Sequence, residues 1–305
     1  MRRFVLQKIA FTILALVGAA TCAFLLLNFL PGDVATSLAG PQASVEDIER
    51  LRRALHLDRP LYEQYLSYMA NLLRGDLGHS YRNNMPVLKI IMAAWPATIK
   101  LALSSMMVAV AMGVPIGILA AVKRGTIMDT AAMVVAFVGV SMPTFWLGLL
   151  LILFFAVQLN LFPFYGLESL SNYVLPSLTL GMGAAANIAR LTRTSMLEVL
   201  GQDYIRTAHG KGVKNGRVLW IHALRNAAIP VVTIIGLQFG GLLGGAVVTE
   251  TIFSWPGVGR MIVNAFGTRD LQIVQGGILV LAFTFTIVNM ITDIIYAFID
   301  PRIKY

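Results

Sequence analysis

The chain has 305 residues, of which 57% are apolar and only 13% charged, and it carries a formal net charge of +9. Ordinary soluble domains run at roughly 45–50% apolar and about 25% charged, and a soluble fold with this excess would leave large apolar patches in water. The composition therefore excludes a pair of soluble domains, a disordered chain and a fibrous repeat, and marks a membrane protein.

A membrane helix takes about 20 predominantly apolar residues, each rising 1.5 Å across a core of roughly 30 Å. Uncharged stretches of that kind predict spans at residues 9–30, 101–122, 130 to about 157 (with Pro143 inside), about 173–189 (with Pro176 in its first turn), 227–249 and 271–292. An all-α integral membrane protein of six spans is expected. Arg2 and Arg3 before the first run resemble the start of a secretory signal. Yet its 22 uncharged residues exceed the usual apolar core of about 7–15, and no small-residue cleavage site follows, so an uncleaved first span is expected. The single cysteine, Cys22, allows neither an intrachain disulfide nor a cysteine metal site.

Three segments follow: residues 1–30, a tail and first span; residues 31–97, an outer segment; and residues 98–305, a five-span core with a cytoplasmic loop at about 190–226. In the outer segment, Ser44 with Asp47 suits a capped helix start, and Val45, Ile48, Leu51 and Leu55 fall near helical spacing. Pro60 opens a second predicted helix, with Leu61, Tyr65, Leu66, Met69, Leu72 and Leu73 on its apolar side and Gly75 as its stop. The pair reads as a structural lid or as a docking platform for an external partner.

Charge sets the orientation. The side that holds both termini, the second–third connection and the 190–226 loop carries 14 Lys and Arg against four acids, whereas the other side is balanced at ten of each. Cytoplasmic loops are enriched in Lys and Arg, which places both termini and the 190–226 loop in the cytoplasm. The basic charge is then a topology signal rather than a nucleic-acid surface.

Within that loop, residues 195–200 and 204–208 read as helical on either side of Gly201, Gly210-Lys211-Gly212 breaks the pattern, and Val218-Leu219-Trp220-Ile221 resumes it. Such a helix–glycine–helix element is either a rigid projection or an ordinary solvated basic loop. The run Asp203-Tyr204-Ile205-Arg206-Thr207-Ala208-His209-Gly210-Lys211-Gly212, then His222-Ala223-Leu224-Arg225-Asn226-Ala227 and Pro230, carries a resemblance. It is similar to the coupling loop of ATP-binding-cassette (ABC) importer permeases, in the dipeptide/oligopeptide/nickel branch. Against the importer motif E-A-A-x3-G-x9-I-x-L-P, Ala208, Gly212 and Leu224 fill the second Ala, the Gly and the Leu. Arg206, Thr207, His222 and Arg225 stand in for Glu, the first Ala, Ile and Pro, and His209-Gly210 departs from the branch's usual Arg-Ala. Leu30-Pro31-Gly32-Asp33, Leu57-Asp58-Arg59-Pro60-Leu61, Gly75-Asp76-Leu77-Gly78, Leu175-Pro176-Ser177-Leu178-Thr179-Leu180-Gly181 and Phe253-Ser254-Trp255-Pro256-Gly257-Val258-Gly259 also sit where that branch has them. The long outer loop resembles that of the first of the branch's two permeases.

The resemblance implies a type I importer permease in the bacterial inner membrane. Its implied partners are a second homologous permease, two ABC ATPases that hold ATP and Mg, and an extracytoplasmic solute-binding protein. The loop around Gly212 would seat in an ATPase groove, with Arg206, Lys211 and Arg225 pairing acids there and Tyr204, Ala208 and Leu224 supplying packing. Peptide-like solutes are the implied cargo: dipeptide, oligopeptide or glutathione. A self-contained carrier driven by an ion gradient is the alternative, and it would show paired intramembrane acids or related halves.

No G-x-x-x-x-G-K-[ST] occurs and the four histidines lack ligand spacing, so the chain is expected to have no ATPase, metal or cofactor site of its own. Gly236, Gly240 and Gly244 lie four apart in the fifth span, where small residues permit close helix packing or line a pathway. Gln238 suits a cavity or a helix–helix hydrogen bond. Asp293 is costly in hydrocarbon and is a pathway candidate, although it lies near the cytoplasmic end, within reach of water or a basic partner.

Overall fold

The computed structural model describes residues 2–29, 36, 43–54, 58–80 and 82–299. The Leu30-Pro31-Gly32-Asp33 run, Leu55, Leu57 and the basic residues Arg302 and Lys304 lie outside the described residues. The order is α1 (Arg2–Phe29), α2 (Val45–Ala54), α3 (Leu61–Leu73), the hairpin strands β1 (His79–Ser80) and β2 (Met85–Pro86), α4 (Val87–Val122), α5 (Ile127–Ser141) and α6 (Thr144–Leu151), which runs into a π-helical stretch Ile152–Gln158. Then come α7 (Ser171–Leu200), α8 (Asp203–Gly210), α9 (Leu224–Ile252), α10 (Val258–Gly267) and α11 (Leu271–Ile299).

Among the described residues, four helices are long and apolar enough to cross a membrane: Leu6–Leu25, Val87–Val122, Asn215–Ile252 and Leu271–Ile294. A fifth crossing exists if the pair Ile127–Ser141 and Thr144–Gln158, bent by 107°, counts as one. The third expected span is thus corrected: it is not one helix through Pro143. Met142 is extended and Pro143 caps the next helix, because a proline disfavours helical backbone in the residue before it. The second span is longer than expected, since α4 opens at Val87 and contains Pro96. The 97/98 segment boundary therefore falls inside a helix.

The helix at the place of the fourth expected span, α7, is not among those apolar enough to cross, yet it packs at the centre of the described residues. α7 continues past residue 189 to Leu200 and packs most extensively on α4, with Leu175, Ala184, Ala185, Ile188 and Ala189 buried. Asn172, Asn187, Arg190, Arg193 and Glu198 lower its hydropathy. A Cβ on Gly117 would lie 2.4 Å from the Ala189 carbonyl, and one on Gly181 would lie 2.5 Å from the Ser105 carbonyl. The two backbones touch, which only small residues allow.

The outer helices follow their signals in part. Ser44 caps α2, its Oγ accepting from the Asp47 amide at 3.2 Å and donating to the Asp47 carboxylate at 2.6 Å. The Ser44 hydroxyl, and with it the Ser44 amide, donates to the Asp47 carboxyl and holds it below its ordinary range. Val45 is exposed, and Ile48 only half-buried. In α3 the inward stripe is Tyr65, Tyr68, Met69 and Leu72, whereas Leu61, Leu66 and Leu73 face out. That corrects the expected apolar side: positions 65, 68, 69 and 72 share one helix face and 66 and 73 lie off it, while Leu61 shares the face but is exposed as the first residue of the helix. Phe24 of α1 stacks on Tyr68 and meets Tyr65 edge-on, at 5.5 and 5.4 Å. The hairpin is tied to the core where Ser80 Oγ donates to Asp270 at 2.5 Å.

The turn between α9 and α10 holds a buried polar knot. Glu250, near the end of α9, is 0% exposed. It accepts from Thr98 Oγ1 of α4 at 2.6 Å and from the amides of Gly259 and Arg260 in the first turn of α10. The carboxylate therefore stands where a helix N-terminus favours negative charge. Thr98 in turn accepts from the Val258 amide at 2.9 Å, and buried Trp255 donates to the Ala97 carbonyl at 2.9 Å.

Candidate functional site

The 190–226 segment is a rigid helical projection rather than a solvated loop. α7 ends at Gly201, Gln202 turns the chain through an extended backbone, and α8 runs for eight residues with Asp203 in its first turn. Its end is a Schellman closure. The Gly212 amide donates to the His209 carbonyl at 2.9 Å and the Val213 amide to the Ala208 carbonyl at 3.2 Å, with Gly212 at φ +74°. That backbone region is open to glycine at no cost. Helical winding resumes at Asn215 and passes through a π-helical stretch, Val218–Ala223, into α9.

One side chain fastens α8. Ile205, 2% exposed, sits among Met196 of α7, Ile118 and Ala121 of α4, and Val218, Ala223 and Ala227 around the start of α9. Ala208, Val213 and Leu224 pack against the same cluster. Burying an isoleucine contributes about 1.5–3 kcal/mol, so α8 is held to three helices and moves with them.

The candidate residues divide accordingly. Asp203, Tyr204, Arg206, Thr207, Lys211, Gly212 and Arg225 are exposed, whereas Ala208 and Leu224 are half-buried and face the body of the chain. Arg206 lies 3.5 Å from Asp203 in an exposed pair of the same helix, and Thr207 Oγ1 donates to the Asp203 carbonyl. The Tyr204 hydroxyl accepts from Asn226 at 2.8 Å, joining α8 to α9 directly. The outer surface of the projection is therefore basic and polar over a buried apolar base. Ile205, Val218 and Asn226 are the residues a sequence reading misses. The spacing of Ile205 and Ala208, three apart beside exposed neighbours, was the available signal.

Gly210 differs from Gly212. It is the last residue of α8, and a Cβ there would meet nothing within 4 Å. Gly210→Ala is expected to stabilise the helix by about 0.5–1 kcal/mol while leaving uptake unchanged, read by thermal denaturation and vesicle transport.

The remaining candidates lie elsewhere. A Cβ on Gly236 would come 2.2 Å from Thr292, and one on Gly240 would come 2.5 Å from Asn289, so both pack α9 on α11 within this chain. Gly244 meets nothing within 4 Å, and Gln238 is half-buried on α9. Asp293 of α11 accepts from Lys8 of α1 at 2.5 Å, with about a third of each side chain exposed. That ion pair joins the first helix to the last. Asp293→Asn is expected to cost at most about 1 kcal/mol and to leave uptake intact. Lost uptake at unchanged thermal stability would instead assign Asp293 to the pathway.

Comparison with known proteins places these features in a group. Residues 113–305 match the family described as "Binding-protein-dependent transport system inner membrane component". Residues 1–102 match the corresponding N-terminal family of such membrane components. The glutathione transport system permease protein GsiC of Escherichia coli (strain K12) is 44% identical over 305 residues, covering 100% of both chains. The dipeptide transport system permease protein DppB of the same strain is 40% identical over 337 residues, covering 100% of this chain and 99% of DppB. Among solved structures, the inward-facing MetNI methionine ABC transporter superposes with a TM-score of 0.56 at 17% identity, covering 70% of this chain and 97% of that one. An amino acid ABC transporter with histidines gives 0.54 at 14% identity, covering 71% and 95%.

Proposed function

Because the chain belongs to the family of binding-protein-dependent transport system inner membrane components, a group of multi-pass inner-membrane permeases, we propose that it is the permease subunit of an ABC importer that carries peptide-like solutes into the cytoplasm. The observation that carries this reading is α8: a short helix with an exposed basic face, anchored through Ile205 to three helices of the membrane body. A projection built that way transmits displacement. A separate ATPase pressing on α8 moves α4, α7 and α9 together, because their shared cluster leaves no slack between them.

In this reading both termini and α8 are cytoplasmic, and α1, α4, the bent α5–α6 pair, α7, α9 and α11 make six crossings. α7 crosses despite its moderate hydropathy because protein, not lipid, surrounds it. ATP and Mg bind two ATPase subunits and not this chain. A second homologous permease completes the pathway, and an external binding protein delivers the solute to the side that holds α2, α3, α10 and the hairpin. The full-length likeness to dipeptide and glutathione permeases supports a peptide-like cargo.

The test is ATP-dependent uptake of labelled dipeptide and glutathione into vesicles holding the assembled complex. Uptake that survives inactivation of the partner ATPase, or that follows an imposed ion gradient, would replace this reading with a secondary carrier.

A further inference from the structure

A cavity of about 580 Å³ lies between α5 and α7, and its two ends differ in chemistry. At one end stand Asp129, Arg190 and Arg193; Val134, Phe137 and Val140 form the wall above them. Arg193 donates through Nε and Nη2 to the Asp129 carboxylate at 2.7 and 2.8 Å, a two-pronged pair that neutralises both charges. Arg190 is different. It is exposed, donates to the Asn187 side-chain oxygen at 3.1 Å, and makes no ion pair among the described residues. Arg124, just before α5, is near enough to act on the charge of Asp129, so this end of the cavity is net positive.

The wall has a telling length. From Asp129 to Val140 the helix climbs roughly 16 Å at 1.5 Å per residue, about half the 30 Å hydrocarbon core. Phe137 is 72% exposed, with Val134 at 54% and Val140 at 50%. The groove is therefore one leaflet deep, apolar along its length and cationic at the end that faces the cytoplasm.

We propose that this groove holds one anionic phospholipid of the cytoplasmic leaflet, its phosphate on Arg190 and an acyl chain along Val134, Phe137 and Val140. The placement rests on the cytoplasmic orientation argued above. Specificity comes from the charge, since any acyl chain fits the wall equally well, whereas an uncompensated guanidinium favours an anionic headgroup.

Native mass spectrometry of the intact complex tests this, with dioleoyl phosphatidylglycerol and dioleoyl phosphatidylcholine as the titrated lipids. The wild-type complex should retain one more phosphatidylglycerol than phosphatidylcholine. Arg190→Gln should weaken that retention about fivefold, the worth of one basic side chain at an anionic surface. Val134→Trp, which fills the groove at an exposed position and leaves the charge in place, should abolish it, while Arg217→Gln on the distant projection should not change it. Equal retention of the two lipids, or no effect of either groove variant, overturns the proposal. Displacement of the lipid by millimolar dipeptide or inorganic phosphate overturns it as well, by making Arg190 a solute or free-anion site. So does a cross-link from the Phe137→Cys variant to the second permease, which would make the groove a subunit interface. Lipid counts do not depend on which solute is carried, so a failure of peptide uptake and a failure of lipid retention are read separately.

Discussion

Glu250→Ala should lower the thermal stability of the purified complex more than any surface substitution. The carboxylate is fully buried and satisfies the Thr98 hydroxyl and the Gly259 and Arg260 amides at once. Removing it leaves the buried Thr98 and Gly259 donors and the half-buried Arg260 amide without that partner, at about 1–3 kcal/mol each, so the loss should be at least about 3 kcal/mol. Part of that loss is positional: Glu250 bonds α4 and the start of α10 to α9 at one point, so those three elements loosen together there. Glu250→Gln keeps the shape and one acceptor and should cost less than half as much. Gly257→Ala attacks the same knot from the other side, because its Cβ would stand 2.2 Å from the Glu250 carboxylate. Fluorescence-detected gel filtration after heating reads all three. An alanine variant as stable as wild type would mean that the knot contributes nothing to holding α10.

Gly212→Pro should assemble normally and yet abolish ATP-dependent uptake. Proline fixes φ near −65° and has no amide hydrogen, whereas Gly212 sits at +74° and donates to the His209 carbonyl. The closure of α8 is then lost, and with it the direction in which the basic face points. Assembly should survive because Gly212 is exposed and the space beside it is open. Gly212→Asn separates geometry from mere substitution: asparagine enters the left-handed region more readily than other side chains, so this variant should keep most of the uptake. Proline and asparagine variants with equal transport would remove Gly212 from the coupling role. Loss of the ATPases from the purified proline complex would point to docking itself, and retention of ATPases with idle hydrolysis would point to transmission.

Much of this was written locally in the chain. About 20 uncharged residues in a row can only be satisfied in lipid or in protein, and a helix satisfies its own backbone there, so α1, α4, α9 and α11 follow from composition and length. The caps at Ser44 and Pro60 and the closure at Gly212 likewise depend on residues within a turn of one another, whereas the break at Pro143 was not foreseen although its cause is local. The motif between Asp203 and Ala227 was legible for the same reason, since a helix–turn–helix of this size is fixed by neighbours in sequence.

Tertiary structure alone decided the pairings. Nothing near Asp293 in sequence announces Lys8, 285 positions away, nor does anything near Glu250 announce Thr98, 152 positions away. Which glycines of α9 meet α11, and which side of α3 covers Phe24, were equally hidden. The physical reason is that lipid and protein interior are both apolar. In a soluble helix the polar face reports which way is out, but in a membrane helix both faces read alike and the rotation about its axis leaves little trace. α7 reverses the usual signal: it packs at the centre and yet is one of the less apolar helices, carrying Asn172, Asn187, Arg190 and Arg193, while its small residues let it touch α4. Composition located most of the apolar helices, whereas their full lengths, the way they face and what they touch came from packing.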